Sequence, residues 1–315
     1  LKSPDHHGIP SREALQARAK LYARVRDFFA ARDVLEVETP ILNPHTVTDP
    51  HIESIGVSHD DRGQYLHTSP EHAMKRLLVS LRCDIYQLCK VFRAGETGRF
   101  HHPEFTMLEW YRVGWNYQEL MREVEQLVMH LLPGHVRLLE SGAMGYREAF
   151  LRYCGLDPWT ARTEDYRIAC RDVGLAPSTQ YSCDDYQALL LDQVIAQRLP
   201  ADRLTFIYDF PVQLASLARI DSEGRAQRFE LYVGNLELAN GYQELTDAGE
   251  LAARFEQDNK ERSRAGKRPM EPDPCLVEAL REGLPDCAGV ALGIDRLLML
   301  ITGADRISDV LAPRG

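Results

Sequence analysis

Over residues 12–32 apolar side chains recur at Leu15, Ala19, Tyr22, Val25 and Phe29, steps of three and four that predict a helix with one buried face. Ser11 just ahead offers an N-cap hydroxyl. After Asp33 the period shortens to two. Residues 34–39 alternate apolar and acidic positions and predict a half-buried strand, which Pro40 ends because proline has no N–H to donate. Two β-prone runs, residues 85–92 and 104–111, flank a polar stretch and predict a hairpin whose long loop suits a ligand. Helical patterning covers residues 117–132 and 184–198, with a helical stretch at 146–180 between them. Strand patterning returns over 204–210, 228–233 and 234–238, followed by helices at about 246–264 and 275–283. A short glycine-bounded strand at 289–293 then leads into a helix over 294–301, whose first turn holds Asp295 and Arg296. The order predicts one α+β catalytic domain over residues 1–315, its strands forming a mainly antiparallel sheet flanked by helices, with a mostly helical insertion at about 117–200.

Composition narrows the classes of function. At 315 residues and 44% hydrophobic content the chain can bury a substantial core. Lys+Arg of 37 against Asp+Glu of 47 gives a net charge of −10, so any contact with nucleic acid must be local. The 7 cysteines are scattered without a CxxC pair, which points to reduced thiols and a cytoplasmic protein. Neither a signal-type start nor an apolar run long enough for a membrane span is present in the sequence. The phosphate-binding GxxxxGK[ST] loop and the GxGxxG dinucleotide fingerprint are also missing, which disfavours kinase and dehydrogenase chemistry.

Three clusters carry candidate chemistry. In the hairpin, Arg93, Arg99, His101 and His102 precede a strand on which Phe105, Met107, Glu109 and Tyr111 share one face. Such a floor can stack a purine on Phe105 and hold an ammonium between Glu109 and Tyr111, with an arginine fork on phosphate oxygens. In the second cluster, Glu237 and Glu244 flank Leu238-Ala239-Asn240-Gly241-Tyr242-Gln243, and a bend at Gly241 would bring both carboxylates to one magnesium ion. The third runs from Gly289 to Arg296, small residues followed by an arginine in a helix's first turn. Taken singly, each cluster also fits a solvated surface segment. Basic residues Arg18, Lys20, Arg24, Arg26 and Arg32, and again Lys260, Arg262, Arg264, Lys267 and Arg268, fit either a partner surface or an ordinary solvated helix face.

Together these residues resemble the three motifs of class II aminoacyl-tRNA synthetases, and within that class the lysine enzyme. Residues 28–42, ending Glu36-Val37-Glu38-Thr39-Pro40, resemble motif 1, the dimer-forming unit. Val91-Phe92-Arg93 with Pro103-Glu104-Phe105-Thr106-Met107-Leu108-Glu109 resembles motif 2, and residues 289–296 motif 3. Ser69-Pro70-Glu71 and residues 237–245 fall in family order between them. The resemblance implies the class II catalytic fold, homodimerisation, and ATP and Mg2+ as substrate and cofactor.

It also implies roles. Arg93 and Arg296 would act on the α- and γ-phosphates, with Ala94, Gly95, His101, His102, Phe105, Glu237, Leu238 and Gly293 completing the ATP site. Glu237 and Glu244 would hold the metal. Ser69, Pro70, Glu71, Glu109, Tyr111, Asn240, Tyr242, Glu244 and Ala291 would surround a lysine-type substrate. Two departures fall in motif 2: Ala94-Gly95 stand where Asn-Glu is usual, with Glu96 one place later, and His102 replaces Asn.

Ser69 replaces the usual Ala and Ala291 the usual Gly, both near the amino acid's α-carbon. The first helix begins near residue 12, leaving no room for an anticodon-binding OB-fold ahead of it, so no anticodon recognition is expected. These features resemble a truncated branch of the lysyl family that transfers (R)-β-lysine to a lysine of elongation factor P, a protein shaped like tRNA. The alternatives are a paralogue that acylates tRNA or a small amine, and a non-catalytic regulatory one.

Overall fold

The computed structural model describes residues 10–57, 63–134, 136, 138–178 and 181–312, so the expected helical insertion crosses four positions, 135, 137, 179 and 180, that lie outside the described residues. The chain falls into two compact units, Leu1–Trp115 with Gln126–Val136 and Leu245–Gly315, and Asn116–Glu125 with Arg137–Glu244.

In the first unit α1 spans Arg12–Ala30, and the Ser11 hydroxyl accepts the Ala14 N–H at 3.1 Å, satisfying one of the end's orphan donors. Its buried residues are Ala14, Leu21, Val25, Phe28 and Phe29, whereas Leu15 is 49% exposed. Val25 and Phe29 of the expected stripe are buried, while Ala14 and Leu21 take the places expected of Leu15 and Ala19, and the half-buried Arg18 lies on the same face. Asp33 takes a left-handed φ of 54° at the turn. The strand expected over 34–39 shrinks to β1 (Leu35–Glu36).

β1 pairs in parallel with β5 (Ile85–Phe92), β5 pairs antiparallel with β6 (Glu104–Val113), and β6 pairs antiparallel with β11 (Cys287–Gly293). Phe29 stacks on Tyr86 with ring centroids 4.3 Å apart and meets Trp110 edge-on at 5.5 Å, which fastens α1 to these strands. A small antiparallel sheet joins β2 (Leu42–Asn43), β4 (Gln64–Leu66) and β3 (Ile55–Val57). Helices α2 (Glu71–Leu81), α7 (Ala248–Arg264), α8 (Pro274–Gly283) and α9 (Ile294–Thr302) complete the unit.

The second unit takes the residues of α3 (Tyr117–Leu131) as far as Glu125, then β7 (Leu139–Gly145), α4 (Tyr146–Cys154), α5 (Thr163–Asp172) and α6 (Cys183–Leu190), followed by β8 (Arg203–Pro211), β9 (Arg225–Val233) and β10 (Leu236–Gln243). β7 and β8 are parallel, while β8–β9 and β9–β10 are antiparallel. Its core is aromatic: Tyr146 packs on Phe150 and Phe210 at 4.7 and 4.8 Å. The buried hydroxyls are satisfied through Gln187, which accepts from Tyr146 at 3.2 Å and donates to the Tyr166 oxygen at 2.9 Å.

Within the two units every strand pairing is antiparallel except β1–β5 and β7–β8, the α+β arrangement expected from the order of elements. No helix among the described residues is long and apolar enough to cross a membrane. The bend expected at Gly241 does not occur. Gly241 continues β10 opposite Phe229, and the irregularity lies at Leu238, where one extra residue bulges between Glu237 and Ala239.

Candidate active site

The first set of site residues rests on the centre of the β5–β6–β11 ladder. Directly opposed residues of antiparallel strands share a face, so Phe105, Met107, Glu109 and Tyr111 lie with Val91, Cys89, Gln87 and Ile85 of β5. On β11 the matching positions are Gly293, Ala291 and Gly289, whose small side chains leave this floor open. Glu109 stands between Gln87 and Ala291, 3% exposed, and accepts the Tyr111 hydroxyl at 2.7 Å. Burial, followed by the Glu109 charge, pushes the neighbouring Cys89 thiol up to about 12, so that it stays protonated at neutral pH.

Arg93 closes the loop that follows β5. Its N–H donates to the Pro103 carbonyl at 2.9 Å and its Nε to the Thr68 carbonyl at 3.3 Å, and its guanidinium lies 5.2 Å from the Phe105 ring centroid. Gly95 adopts φ 77°, a left-handed turn that suits glycine, and it brings the displaced Glu96 back to within 3.6 Å of Arg93. The Ala94 N–H donates to the Glu53 carbonyl at 2.7 Å. His101 accepts the Gly98 N–H through its carbonyl, and His102 folds back on the Glu104 backbone. On the far side of the loop Arg99 donates to the Asp305 carbonyl at 2.9 Å, and Arg296, in the first turn of α9, donates from Nε to the Phe100 carbonyl at 3.3 Å. Arg93 and Arg296 thus brace opposite ends of one loop.

Ser69 and Pro70 precede α2 and line a cavity of the first unit together with Thr46, His67, Arg76 and Asp273. The Ser69 hydroxyl accepts the Glu71 N–H at 3.4 Å. Glu71 Oε1 lies 2.6 Å from Lys75 Nζ, an ammonium only 2% exposed. Sequence reasoning passed over Lys75, although a lysine four residues after a glutamate on a helix is the signal that would have found it.

In the second unit the Leu238 bulge shifts the alternation of β10, so that Glu237, Asn240 and Tyr242 share a face with Tyr232, Glu230 and Arg228 of β9. Glu244, 1% exposed, follows on the same side. An extended strand separates Glu237 from Glu244 by roughly 20 Å, so these two carboxylates cannot share a magnesium ion, and the convergence expected from the sequence is corrected. Glu230 lies diagonally across the ladder from Glu237, at a Cα distance of about 7–8 Å. Its carboxylate takes Arg228 Nη2 at 2.5 Å and the Tyr232 hydroxyl. Burial, then the charges of Glu230 and Glu237, hold the Tyr232 hydroxyl far above its ordinary range. Arg228 Nε also donates to Asn240 Oδ1 at 3.1 Å.

Glu230 is a second candidate residue that the sequence reading passed over. The signal was a second glutamate seven positions before Glu237, across the Gly234-Asn235 turn. Among the described residues no three His, Cys, Asp or Glu side chains gather at one point. Two hard carboxylate oxygens on one face fit magnesium, which takes its remaining ligands from phosphates and water.

The profile of the family described as tRNA synthetases class II (D, K and N) matches residues 9–313. The chain belongs to this family. Its α+β fold is therefore that of the class II synthetase catalytic domain, and the chemistry of the family is ATP-dependent activation of an amino acid.

Proposed function

We propose that this protein is an elongation factor P lysine ligase, which activates (R)-β-lysine with ATP and passes it to a lysine side chain of elongation factor P in the cytoplasm. The observation that carries the reading is the buried Glu109 carboxylate, bonded by Tyr111 and flanked across the strand by Ala291. A carboxylate at this depth selects for a cationic group, because a substrate lacking the distal amine would leave it uncompensated. Glu109 and Tyr111 receive the side-chain ammonium, and Glu71 the other amine. The Ala291 methyl shortens the floor beside Glu109, and the Ser69 hydroxyl stands ahead of Glu71. Together they favour an amine displaced by one carbon over that of α-lysine.

In the first step a substrate carboxylate oxygen bonds to the α-phosphorus, and the bond to the β-phosphate oxygen breaks with release of pyrophosphate. Phe105 stacks the adenine, Arg93 neutralises charge on the α-phosphate, and Arg296 holds the γ-phosphate, so catalysis comes from positioning and charge. Glu230 and Glu237 are the carboxylates suited to the magnesium that accompanies ATP. In the second step the acceptor amine bonds to the carbonyl carbon, AMP leaves, and the amine gives up a proton. Leu35, Ile41 and Leu42 of the motif 1 segment are exposed, which supports a homodimer through that segment.

Pyrophosphate exchange with each lysine isomer, followed by labelling of elongation factor P and of tRNA, tests the reading. Exchange with (R)-β-lysine should exceed that with α-lysine at least about tenfold, and the label should enter the protein. A preference for α-lysine, label in RNA, or no exchange with any diamino acid would sink it, the last result favouring a non-catalytic paralogue.

A further inference from the structure

Asp295 lies between the last residue of β11, Gly293, and Arg296. It is 1% exposed. β11 pairs with β6 only as far as Gly293 opposite Met107. Beyond that point the chain turns into α9, and the next N–H of β6 on this side, that of Thr106, would lose its ladder partner. Asp295 replaces the lost rung: its Oδ2 accepts the Thr106 N–H at 2.6 Å. Its Oδ1 accepts Arg18 Nη2 at 2.5 Å.

Arg18 is a half-buried charged residue on the core-facing side of α1. The same guanidinium donates to the Val310 carbonyl at 2.8 Å and to the Tyr22 hydroxyl at 3.1 Å. Burial works against its charge, but the Asp295 carboxylate and the Tyr22 hydroxyl together outweigh it and raise its affinity for the proton above the ordinary value. The pair therefore ties together α1, β6, the start of α9 and, through Arg18, the segment at Val310.

We propose that Asp295 and Arg18 form a positioning pair that fixes the offset between Arg296, one residue after Asp295, and Phe105, one residue before Thr106. The proposal rests on reading Arg296 and Phe105 as the γ-phosphate and adenine contacts. The physical ground is that the ladder has ended where the two chains part, so a charge-assisted hydrogen bond must hold their register instead. Lost register would displace phosphate and adenine contacts relative to each other, and it would leave the floor around Glu109, inside the ladder, unchanged.

The test measures affinity for a non-hydrolysable ATP analogue with magnesium by calorimetry in wild type, Asp295→Asn, Arg18→Met and Arg18→Lys. Pyrophosphate exchange kinetics and melting temperatures accompany it. Asp295→Asn and Arg18→Met should each weaken analogue binding roughly tenfold and raise the KM for ATP equally, with the KM for the amino acid unchanged. Arg18→Lys should recover most of the loss, and the double variant should be no worse than the weaker single one. Unchanged analogue affinity overturns the proposal, as does a joint decline of ATP affinity, amino acid KM and melting temperature. A wild type that binds the analogue but exchanges with no diamino acid removes the proposed function and leaves the positioning pair standing. One that does not bind the analogue removes both.

Discussion

Glu230, Glu237 and Glu244 are chemically the same residue, and their partners and spacing separate them. Glu230 and Glu237 are diagonal neighbours across the β9–β10 ladder, and Glu244 lies roughly 20 Å further along the strand. On the proposed function the first two suit a shared magnesium ion and the third stands too far away to join them. The magnesium concentration that half-saturates pyrophosphate exchange should therefore rise about tenfold in Glu230→Gln and Glu237→Gln, since each loses a charged ligand. In Glu244→Gln it should stay put. A magnesium titration of the three variants decides the matter, and equal shifts in all three would count against the assignment. Side-chain type was legible in the sequence for Arg93, Phe105, Glu109 and Arg296, because each stands in a motif. The role of Arg18 was not, since its carboxylate partner, Asp295, is brought to it by the fold.

Elements add constraints that no single residue carries. On α7, Asp258 accepts the Thr48 hydroxyl at 2.5 Å. Burial is the main force pushing its carboxyl up to about 6, helped by the charges of Asp49 and Glu261 and opposed by the Thr48 bond and Arg254. Because the folded value lies above the unfolded one near 3.8, the folded state takes up a proton in the intervening range. The contribution to stability is therefore full below about 4 and is lost as pH rises through about 6. Asp258→Asn, which keeps an oxygen for Thr48, should melt a few degrees above wild type at pH 7.5, roughly the shift produced by 1 kcal/mol. The two should converge below pH 4, and melting curves across that range check the sign. Periodicity located the ends of α1, β5, β6, α7 and α9 well. It failed where an element departs from its ideal period, at the Leu238 bulge and at the short β1, because both depend on a neighbouring strand.

At the scale of the whole molecule the net charge of −10 leaves little uncommitted basic surface. Of the two basic clusters, Arg18 binds Asp295, Arg26 binds Glu36, Arg32 lies 3.6 Å from the Phe28 ring, and Arg262 and Lys267 bind Glu53. Much of what reads as a cationic face is internal bracing. Leu35, Ile41 and Leu42, by contrast, are 49%, 40% and 42% exposed, apolar surface that a second copy would cover. Wild type is expected to elute at twice the chain mass, and the pair Leu35→Glu with Leu42→Glu to elute as a monomer with greatly reduced pyrophosphate exchange. An unchanged elution volume for the double variant would refute dimerisation through this segment.

What the sequence determined by itself was local: the periods that lay down helices and strands, the caps, the acidic, basic and aromatic types gathered in each motif, and through them the family. Tertiary structure alone decided which carboxylates become neighbours, because strand register joins segments that are distant in sequence and one bulged residue reverses every side chain beyond it. It also decided that Arg18 belongs inside, since the rung lost where β11 turns into α9 had to be replaced by a charge from another helix.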